Sequence, residues 1–384
     1  MENLIRRFRS WVSRSFSTRV FNIFQLEVTS KCNLKCIMCP RVSIPRQWSS
    51  GNMSMDIFKR VSEYFHYSRV VYLSGWGEPL LHEKILDMIR LAKEAGCIVG
   101  FTTNGMLLTE HLSRELLKLK LDMLAFSIDG ATPQTYESIR VGGKFDQLIE
   151  NIKTLSMLKR KARSKKPEVI ITFLMMKKNI NELPSVVDLA HELMADRVVA
   201  TNLDCVVKFL DEKLHIFSCN SPKRKFVEKI EEAKAKAENL KIPFYAYPVE
   251  LRPTAVCDAD PLRNIFFTWD GMVAPCVYAS LPIRQGFIPR IFCGKQYKIP
   301  RLSFGNIIRE DLLDIWNKRE YREFRRYFKI REGLYNSKFL EIMPFEGGVE
   351  LKGLGEEKHK ELVNKIGALP LPKICETCYK AYGV

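Results

Sequence analysis

Short apolar runs alternate with longer amphipathic segments over the first half of the chain. The runs predict β-strands at Phe24–Val28, Val70–Leu73, Ile98–Thr102, Met123–Ser127, Val169–Met175 and Arg197–Thr201. The amphipathic segments predict helices near 53–66, 82–95, 109–118, 145–161 and 180–194. Strand followed by helix, repeated about six times, is typical of a parallel sheet covered by helices. We therefore expect an α/β fold, a partial (β/α)6 barrel, with its site at the carboxyl ends of the strands.

The second half of the chain has a different pattern. A charged helix at Pro222–Leu240 leads into short strands, many prolines and the last cysteines. Residues 334–370 are rich in Gly, Glu and Lys, which indicates an insertion or mobile loop. The expected organisation is an N-terminal segment at 1–20, a core domain at 21–240 and a smaller α+β domain at 241–384.

Residues 1–18 form a basic amphipathic pattern. Apolar residues recur at helical spacing and arginines occupy the other faces. Such a helix can make peripheral contact with an anionic membrane, or it can pack on the rest of the protein. The apolar runs are far shorter than the roughly 20 residues of a membrane-spanning helix, and arginines interrupt any secretion signal. We expect a cytoplasmic protein.

The chain is strongly basic, with a net charge of +17. Much of the excess lies on two apparent helices, Lys159–Lys166 and Asn317–Arg331. No nucleic-acid-reading motif accompanies these segments, so a solvated surface is the preferred interpretation and nucleic acid is not an expected partner.

Three cysteines lie within eight residues after the first strand: Cys32, Cys36 and Cys39. Clustered cysteines in a reducing compartment are more often metal ligands than disulfides. Closed zinc and iron–sulfur sites use four protein ligands, so three thiolates on a cubane leave one iron open to a small molecule. Spacing alone leaves a zinc site with a distant fourth ligand as the alternative.

The spacing Cys32-x3-Cys36-x2-Cys39 resembles the signature of the radical S-adenosylmethionine (SAM) superfamily. The resemblance implies a partial barrel of the radical SAM type and a 4Fe–4S cluster whose open iron binds the amino and carboxylate groups of SAM. It also implies an external electron donor such as ferredoxin or flavodoxin.

Polar motifs follow the next strands in the order found in that family. Gly75-Trp76-Gly77-Glu78 resembles the glycine-glycine-glutamate element that holds the SAM amino group, with Trp76 in the place of the first glycine. By the same resemblance, SAM contacts are expected from the strand-end residues Asn104, Ser127 and Asp129, and from Arg140, whose guanidinium suits a carboxylate. A surface ion pair is the alternative for Arg140.

A second cysteine set resembles the auxiliary-cluster domain known as SPASM, or twitch in its one-cluster form. Its members are Cys257, Cys276, Cys375 and Cys378. The resemblance implies an auxiliary 4Fe–4S cluster with four thiolate ligands, and a four-thiolate zinc site stays the alternative. The continuation of a full SPASM domain does not follow Cys378, which favours one auxiliary cluster. Buried thiols are expected of the remaining cysteines, with Cys293 also considered as a replacement ligand: Cys97, Cys205, Cys219 and Cys293.

The resemblance implies an enzyme that cleaves SAM to a 5′-deoxyadenosyl radical and abstracts a substrate hydrogen. Oxidative modification of a peptide, a sugar or a cofactor precursor is the expected outcome. The alternatives are a radical SAM enzyme that modifies RNA and a non-catalytic two-cluster electron carrier or sensor. Where the family often has an acidic residue after the cysteine equivalent to Cys276, this chain has Val277-Tyr278, so no base is assigned.

Overall fold

A ten-stranded sheet lies at the centre of the protein. In the computed structural model, which describes residues 19–217, 219, 223–342 and 352–384, seven parallel strands form the core of this sheet in sequence order. They are β1 (Phe21–Leu26), β2 (Ser68–Tyr72), β3 (Ile98–Thr103), β4 (Met123–Ser127), β5 (Glu168–Met175), β6 (Arg197–Asn202) and β7 (Phe244–Ala246). The predicted α/β fold, a parallel sheet covered by helices, is confirmed, and β7 adds a parallel strand to the six expected. The amphipathic segment 1–18 lies outside the described residues.

Helices connect these strands and cover the sheet. They are α1 (Pro40–Ser43), α2 (Met55–Ser62), α3 (Ile85–Glu94), α4 (Glu110–Lys118), α5 (Pro133–Ile139), α6 (Phe145–Lys161), α7 (Leu183–Glu192), α8 (Phe209–Glu212) and α9 (Arg224–Leu240). Several begin at a polar residue whose side chain accepts a backbone N–H: Ser54 accepts from Ile57, and Thr109 accepts from Leu112. Short 3₁₀ turns occur at Phe65–Tyr67, Pro79–Leu81, Ile180–Glu182 and Tyr379–Tyr382.

The core strands carry apolar side chains that are fully buried between sheet and helices. Phe24, Val71, Phe101, Phe126 and Phe173 each have no exposed surface. In β5 and β6 fully buried side chains alternate with half-buried ones, so only one face of these strands is completely covered. The first strand ends at Leu26, two residues before the predicted end. Its ladder with β8 (Asn264–Phe267) ends with the hydrogen bond from the Glu27 N–H to the Phe267 carbonyl at 2.8 Å.

The C-terminal region continues the core sheet. Strand β8 (Asn264–Phe267) pairs in parallel with β1, and β9 (Met272–Ala274) and β12 (Gly305–Asn306) extend the sheet antiparallel. On the other edge β7 pairs with β6, so the sheet crosses the expected boundary at 240. A separate hairpin consists of β10 (Phe287–Phe292) and β11 (Lys295–Pro300). The cysteine-bearing C-terminal region is therefore tied to the first strand of the core.

The range 334–370, predicted to be an insertion or mobile loop, is helical over most of its described residues. Helix α10 (Leu312–Asn317) precedes this range, and helices α11 (Arg319–Ile342) and α12 (Lys352–Ala368) occupy most of it. Residues 343–351 lie outside the described residues. Leu362 and Ile366 are buried in a small cluster with Ala255 and against Leu334. Two apolar residues four apart are enough to dock α12, and the abundance of Gly, Glu and Lys concealed that spacing.

The prediction of solvated basic segments holds for one of the two. Arg160, Lys161 and Lys165 are exposed near the end of α6. In α11, by contrast, Arg325 and Arg331 are buried, at 5% and 1% exposure. A helix that packs two faces must bury some of its basic side chains, and composition does not reveal which ones.

The expectation of buried free thiols at Cys219 and Cys293 was also wrong, because the two are joined in a disulfide. Their Cα atoms lie 5.6 Å apart although 74 residues separate them in the chain, which places them at bonding distance only in the fold. Cys293 is therefore not a replacement cluster ligand in this structure. Cys97 is buried as a free thiol, as expected. Across the described part of the chain, no helix has the length and apolar character to span a membrane.

Candidate active site

A cavity of about 390 Å³ opens at the carboxyl ends of the core strands. Eight of the nine residues predicted at the first cluster and SAM site line it: Cys32, Cys36, Cys39, Gly77, Glu78, Asn104, Ser127 and Arg140. They come from four different strand ends separated by more than 100 residues of sequence. Their convergence follows from the parallel sheet, since the carboxyl ends of its strands meet on one edge.

The loop that bears the three cysteines is held in place by backbone hydrogen bonds. The N–H groups of Lys35 and Ile37 donate to the carbonyls of Val141 and Ile139 at 2.8 and 3.0 Å. Cys39 precedes the short helix α1, whose first residue is Pro40. Because Pro40 has no N–H and a fixed φ, it suits a first helical position and ends the loop there. The three thiols consequently face one cavity.

Burial raises the pKa of the Cys36 thiol to about 11, although the Arg140 guanidinium opposes the rise. Burial likewise raises the pKa of Cys39. Thiols in such a site exist as thiolates only when a cationic partner stabilises them, and a metal centre is that partner. The three sulfurs of the loop fit a cubane with one open iron, and the cavity wall holds one further thiol, Cys205, from the segment after β6.

The glycines of the second strand end allow the backbone to approach the cysteine loop. A Cβ atom on Gly77 would lie 2.3 Å from the Thr29 carbonyl oxygen and 2.5 Å from that of Lys31. The next residue, Glu78, donates its N–H to the Lys31 carbonyl at 2.8 Å. Any side chain at position 77 would therefore push the Glu78 segment away from the cysteines.

The Glu78 carboxylate joins two strand ends. It accepts hydrogen bonds from the Thr103 hydroxyl at 2.7 Å, the Asn104 N–H at 2.7 Å and the Leu80 N–H at 3.1 Å. The side chain is 2% exposed, and burial raises its pKa while these bonds lower it. Asn104 in turn donates its amide to the Asn33 side chain at 2.8 Å, next to Cys32. Glu78 thus fixes the segment that approaches the first cysteine.

Arg140 and Asp129 form a buried ion pair, not the surface pair considered as its alternative. The Arg140 Nε lies 2.6 Å from Asp129 Oδ2, and the side chains are 15% and 0% exposed. Asp129 Oδ1 also accepts the Leu174 N–H at 2.8 Å. Arg140 lines the cavity whereas Asp129 lies behind it. In this arrangement Asp129 orients the guanidinium, which remains available to a carboxylate ligand.

Trp76, the departure from the family motif, contacts the C-terminal domain. Its indole N–H donates to the Val277 carbonyl at 3.3 Å, and its ring meets that of Tyr278 edge-on at 6.1 Å. Tyr278 lines the first cavity and also a second, smaller one. The residues after Cys276 therefore form part of the wall between the two cavities.

The second cavity brings the second cysteine set together. Its wall contains Cys257, Cys276, Cys375 and Cys378, with Phe324 and Phe328 among the apolar residues around them. Burial raises the pKa of the Cys276 thiol to about 12. No group of three or more His, Cys, Asp or Glu residues in the described chain is placed to hold a single metal ion. Four thiols around one cavity supply the ligand set of an auxiliary iron–sulfur cluster, and a four-thiolate zinc site would use the same donors.

Asp204 and Glu27, near the first cavity, escaped the sequence prediction, and Cys205, expected to be a buried thiol, is partly exposed in the cavity wall. Asp204 and Cys205 line the cavity immediately after β6, and Asp204 Oδ2 accepts from Tyr278 and lies 3.0 Å from the Lys380 ammonium. Glu27 is fully buried between the core and Trp269, and burial raises its pKa to about 8. A signal existed in each case, since Glu27 interrupts an apolar run and Asp204 follows a strand end.

Comparisons with known proteins agree with this geometry. A family model described as the radical SAM superfamily matches residues 26–190, and one described as the SPASM iron–sulfur cluster-binding domain matches 257–337. The chain is 29% identical over 320 residues to the tungsten-containing aldehyde ferredoxin oxidoreductase cofactor-modifying protein of Pyrococcus furiosus, covering 81% of this chain and 85% of that protein. It is 27% identical to a probable GTP 3′,8-cyclase of Methanococcus maripaludis, covering 67% and 86%.

Solved structures share the fold. SuiB of Streptococcus suis bound to S-adenosylmethionine superposes with a TM-score of 0.60 and 18% identity, over 80% of this chain and 68% of that one. SuiB bound to its precursor peptide SuiA gives a TM-score of 0.56 and 15% identity, over 83% and 70%. At this level of identity the likeness shows the architecture alone.

Proposed function

The chain belongs to the radical SAM superfamily and carries a C-terminal SPASM-type iron–sulfur domain, and we propose that it is an enzyme that oxidises a substrate bound between these two domains. One observation carries the proposal. The cavity wall contains the three-cysteine loop, the residues expected to bind SAM, and Val277 and Tyr278 from the C-terminal domain. A substrate in that cavity would lie next to both sets of cysteines.

The first cysteine set supplies the radical chemistry when loaded. A 4Fe–4S cluster held by Cys32, Cys36 and Cys39 would reductively cleave SAM, given an electron from a ferredoxin or flavodoxin, to the 5′-deoxyadenosyl radical that abstracts a substrate hydrogen. The protein contributes orientation and exclusion of water. Cys36, only 7% exposed, and its buried neighbours Leu34 and Met38 are suited to both tasks.

The residues around the cysteines are suited to the polar groups of SAM. Glu78 presents negative charge for an ammonium group, and Arg140 presents a guanidinium for a carboxylate. Gly77 leaves the backbone free to approach the ligand, and Asn104 and Ser127 lie at the ends of the next two strands. Asp129 acts through Arg140, which it holds at 2.6 Å.

Oxidation of a substrate radical releases one electron and one proton. We assign the electron to an auxiliary 4Fe–4S cluster held by Cys257, Cys276, Cys375 and Cys378. We assign the proton to Asp204, a carboxylate in the cavity wall. Both of its observed contacts, Tyr278 and Lys380, end on Oδ2. No hydrogen bond to Oδ1 is found within the described residues, so this oxygen can accept from substrate.

The substrate class that we propose is a cofactor precursor. The support is the 29% identity over 85% of a protein whose name describes it as cofactor-modifying. A peptide is the second candidate, supported by the shared architecture with SuiB, which binds a precursor peptide. Nothing in the cavity of this chain favours a sugar over either of these.

The test is 5′-deoxyadenosine formation from SAM by the anaerobically reconstituted protein with dithionite, followed by chromatography. Wild-type protein is expected to form 5′-deoxyadenosine, and the Cys36→Ala variant to form none. A non-catalytic electron carrier would hold both clusters and leave SAM intact, which would refute the proposal. Candidate precursors and peptides can then be ranked by how far each one accelerates SAM cleavage.

The RNA-modifying alternative rests on the +17 charge alone. It requires an RNA-binding constant whose logarithm falls linearly with the logarithm of the salt concentration. Filter binding at several salt concentrations measures this slope. We expect weak binding that disappears at physiological salt, because the exposed cations accompany no nucleic-acid-reading motif.

A further inference from the structure

Three buried cations lie on, or bond to, the chain segments that form the four-cysteine cavity, and one of them, Lys380, lines it. Arg290, Arg331 and Lys380 are 8%, 1% and 7% exposed. Arg290 donates to the carbonyls of Ile374 at 2.6 Å and Tyr278 at 3.1 Å. Arg331 donates to the carbonyls of Leu369 at 2.6 Å and Thr254 at 2.8 Å. Among the residues that the structure describes, neither guanidinium pairs with a carboxylate.

The three cations are attached to the segments that carry the cysteines. Ile374 immediately precedes Cys375, and Tyr278 lies two residues after Cys276. Thr254 lies three residues before Cys257, and Lys380 two residues after Cys378. A positive charge thus lies within one hydrogen bond and three residues of chain of each of the four cysteines.

Buried charge is costly unless an opposite charge lies nearby. A guanidinium bonded only to carbonyl groups has its hydrogen bonds satisfied, but its charge is not neutralised. Four thiolates around an iron–sulfur cubane form a site with net negative charge, and that charge becomes more negative on reduction. Cations fixed beside such a site stabilise the reduced form more than the oxidised form, because the Coulomb attraction grows with the charge.

We propose that Arg290, Arg331 and Lys380 are positioning residues that raise the reduction potential of the auxiliary cluster, so that it accepts the electron released by a substrate radical. The inference rests on the proposed function. The substrate radical loses one electron and one proton to give a closed-shell product. An auxiliary cluster held by the four cysteines would supply the acceptor for the electron, and Asp204 would take the proton.

Lys380 and Asp204 make the inference testable in both directions. The Lys380 ammonium lies 3.0 Å from Asp204 Oδ2 and 4.0 Å from the centre of the Tyr247 ring. The carboxylate therefore offsets part of the Lys380 charge. Removing the ammonium should lower the potential of the auxiliary cluster, and removing the carboxylate charge should raise it. A merely structural role gives no reason for opposite shifts.

The experiment is a redox titration of the anaerobically reconstituted full-length protein, followed by electron paramagnetic resonance. Added SAM perturbs the signal of the first cluster, so the unperturbed signal reports the auxiliary one. The variants are Arg290→Met, Arg290→Lys, Lys380→Met and Asp204→Asn. Lys93→Gln is the matched control, since Lys93 pairs with the buried Asp122, which precedes β4 and lies at the opposite ends of the core strands.

We expect lower midpoint potentials in Arg290→Met and Lys380→Met, a higher one in Asp204→Asn, and wild-type values in Arg290→Lys and Lys93→Gln. Equal shifts in Arg290→Met and Arg290→Lys, or shifts of one sign in Lys380→Met and Asp204→Asn, would overturn the inference. If Arg290→Met does not fold, the opposite signs at positions 380 and 204 still decide. If the variants cleave SAM and the midpoint potential of the auxiliary cluster is unchanged in them, only this inference is refuted. If the four cysteines bind zinc, the electron-acceptor part of the proposed function is refuted as well.

Discussion

The indole N–H of Trp76 donates to the backbone carbonyl of Val277 at 3.3 Å. This bond joins the glycine-containing loop after β2 to the residue that follows Cys276. Substitution of Trp76 by Phe removes the bond and keeps most of the ring packing, so we expect a loss of about 1 kcal/mol in the free energy of unfolding. Trp76→Ala also removes the ring contact with Tyr278, so it should lower the free energy of unfolding by more than Trp76→Phe does. Denaturant unfolding of the reconstituted variants measures both, and equal losses would contradict the role of the ring.

The two cysteine sets should be separable by iron content. Cys36→Ala is expected to lose about four iron atoms per chain and all SAM cleavage, because it removes a ligand of the first cluster. Cys378→Ala should lose a similar amount of iron and retain SAM cleavage. Cys97→Ala is the control, since Cys97 is a buried free thiol whose sulfur contacts the Phe65 carbonyl. Iron analysis and 5′-deoxyadenosine assays measure these outcomes, and loss of SAM cleavage in Cys378→Ala would contradict separate roles.

Glu78→Gln should weaken SAM binding. The amide removes the negative charge assigned to the SAM ammonium, and it retains only one acceptor oxygen for the bonds from Thr103 and Asn104. Charged hydrogen bonds contribute about 1.5–3 kcal/mol, so we expect roughly ten- to hundredfold weaker binding. Glu110→Gln, at an exposed pair with Arg114, is the matched control. Equilibrium binding of SAM to the reconstituted protein provides the measurement, and unchanged affinity would remove Glu78 from the site.

Asp129→Asn should destabilise the protein and displace Arg140. The variant leaves a buried guanidinium without its partner, a change that typically costs about 3 kcal/mol or more. Asp87→Asn breaks the exposed pair with Arg90 and should change stability by less than about 1 kcal/mol. Denaturant unfolding compares the two variants. A small effect at position 129 would mean that other contacts are sufficient to hold Arg140.

Glu27 should make stability depend on pH. Burial raises its pKa from 4.5 to about 8, so the folded state favours the protonated carboxyl. The unfolded chain ionises first as pH rises, and the stabilising contribution present below pH 4.5 is lost progressively up to about pH 8. Glu27→Gln abolishes this dependence. Between these pH values we expect the free energy of unfolding of the variant to rise relative to that of the wild type by at most about 1.4 kcal/mol per pH unit.

Urea unfolding at pH 5 and pH 8 measures the Glu27 effect. Glu63→Gln is the control, because that carboxyl is 58% exposed beside Arg60. A constant difference between Glu27→Gln and the wild type at both pH values would show that Glu27 is as readily ionised in the folded protein as in the unfolded chain.

Local sequence patterns determined much of the fold and the first site. Strand β4 and helix α6 have the predicted ends, because each is an uninterrupted run of its own periodicity. The cysteine loop and its spacing are contiguous, so they could be recognised without coordinates. By contrast, the docking of α12 depends on two apolar residues in a polar segment, and the disulfide between Cys219 and Cys293 depends on contacts across 74 residues.

The sequence by itself determined the order of strands and helices, the two sets of cysteines and the residue types at each strand end, since all of these are local properties of the chain. Only the tertiary structure decided that Asp129 lies behind Arg140, that Asp204 faces the cavity beside Lys380, and that buried cations bond to the segments of the second cysteine set. The physical reason is that charge and burial at a site are sums over neighbours from distant segments. A pattern along the chain specifies each neighbour but not which ones the fold brings together.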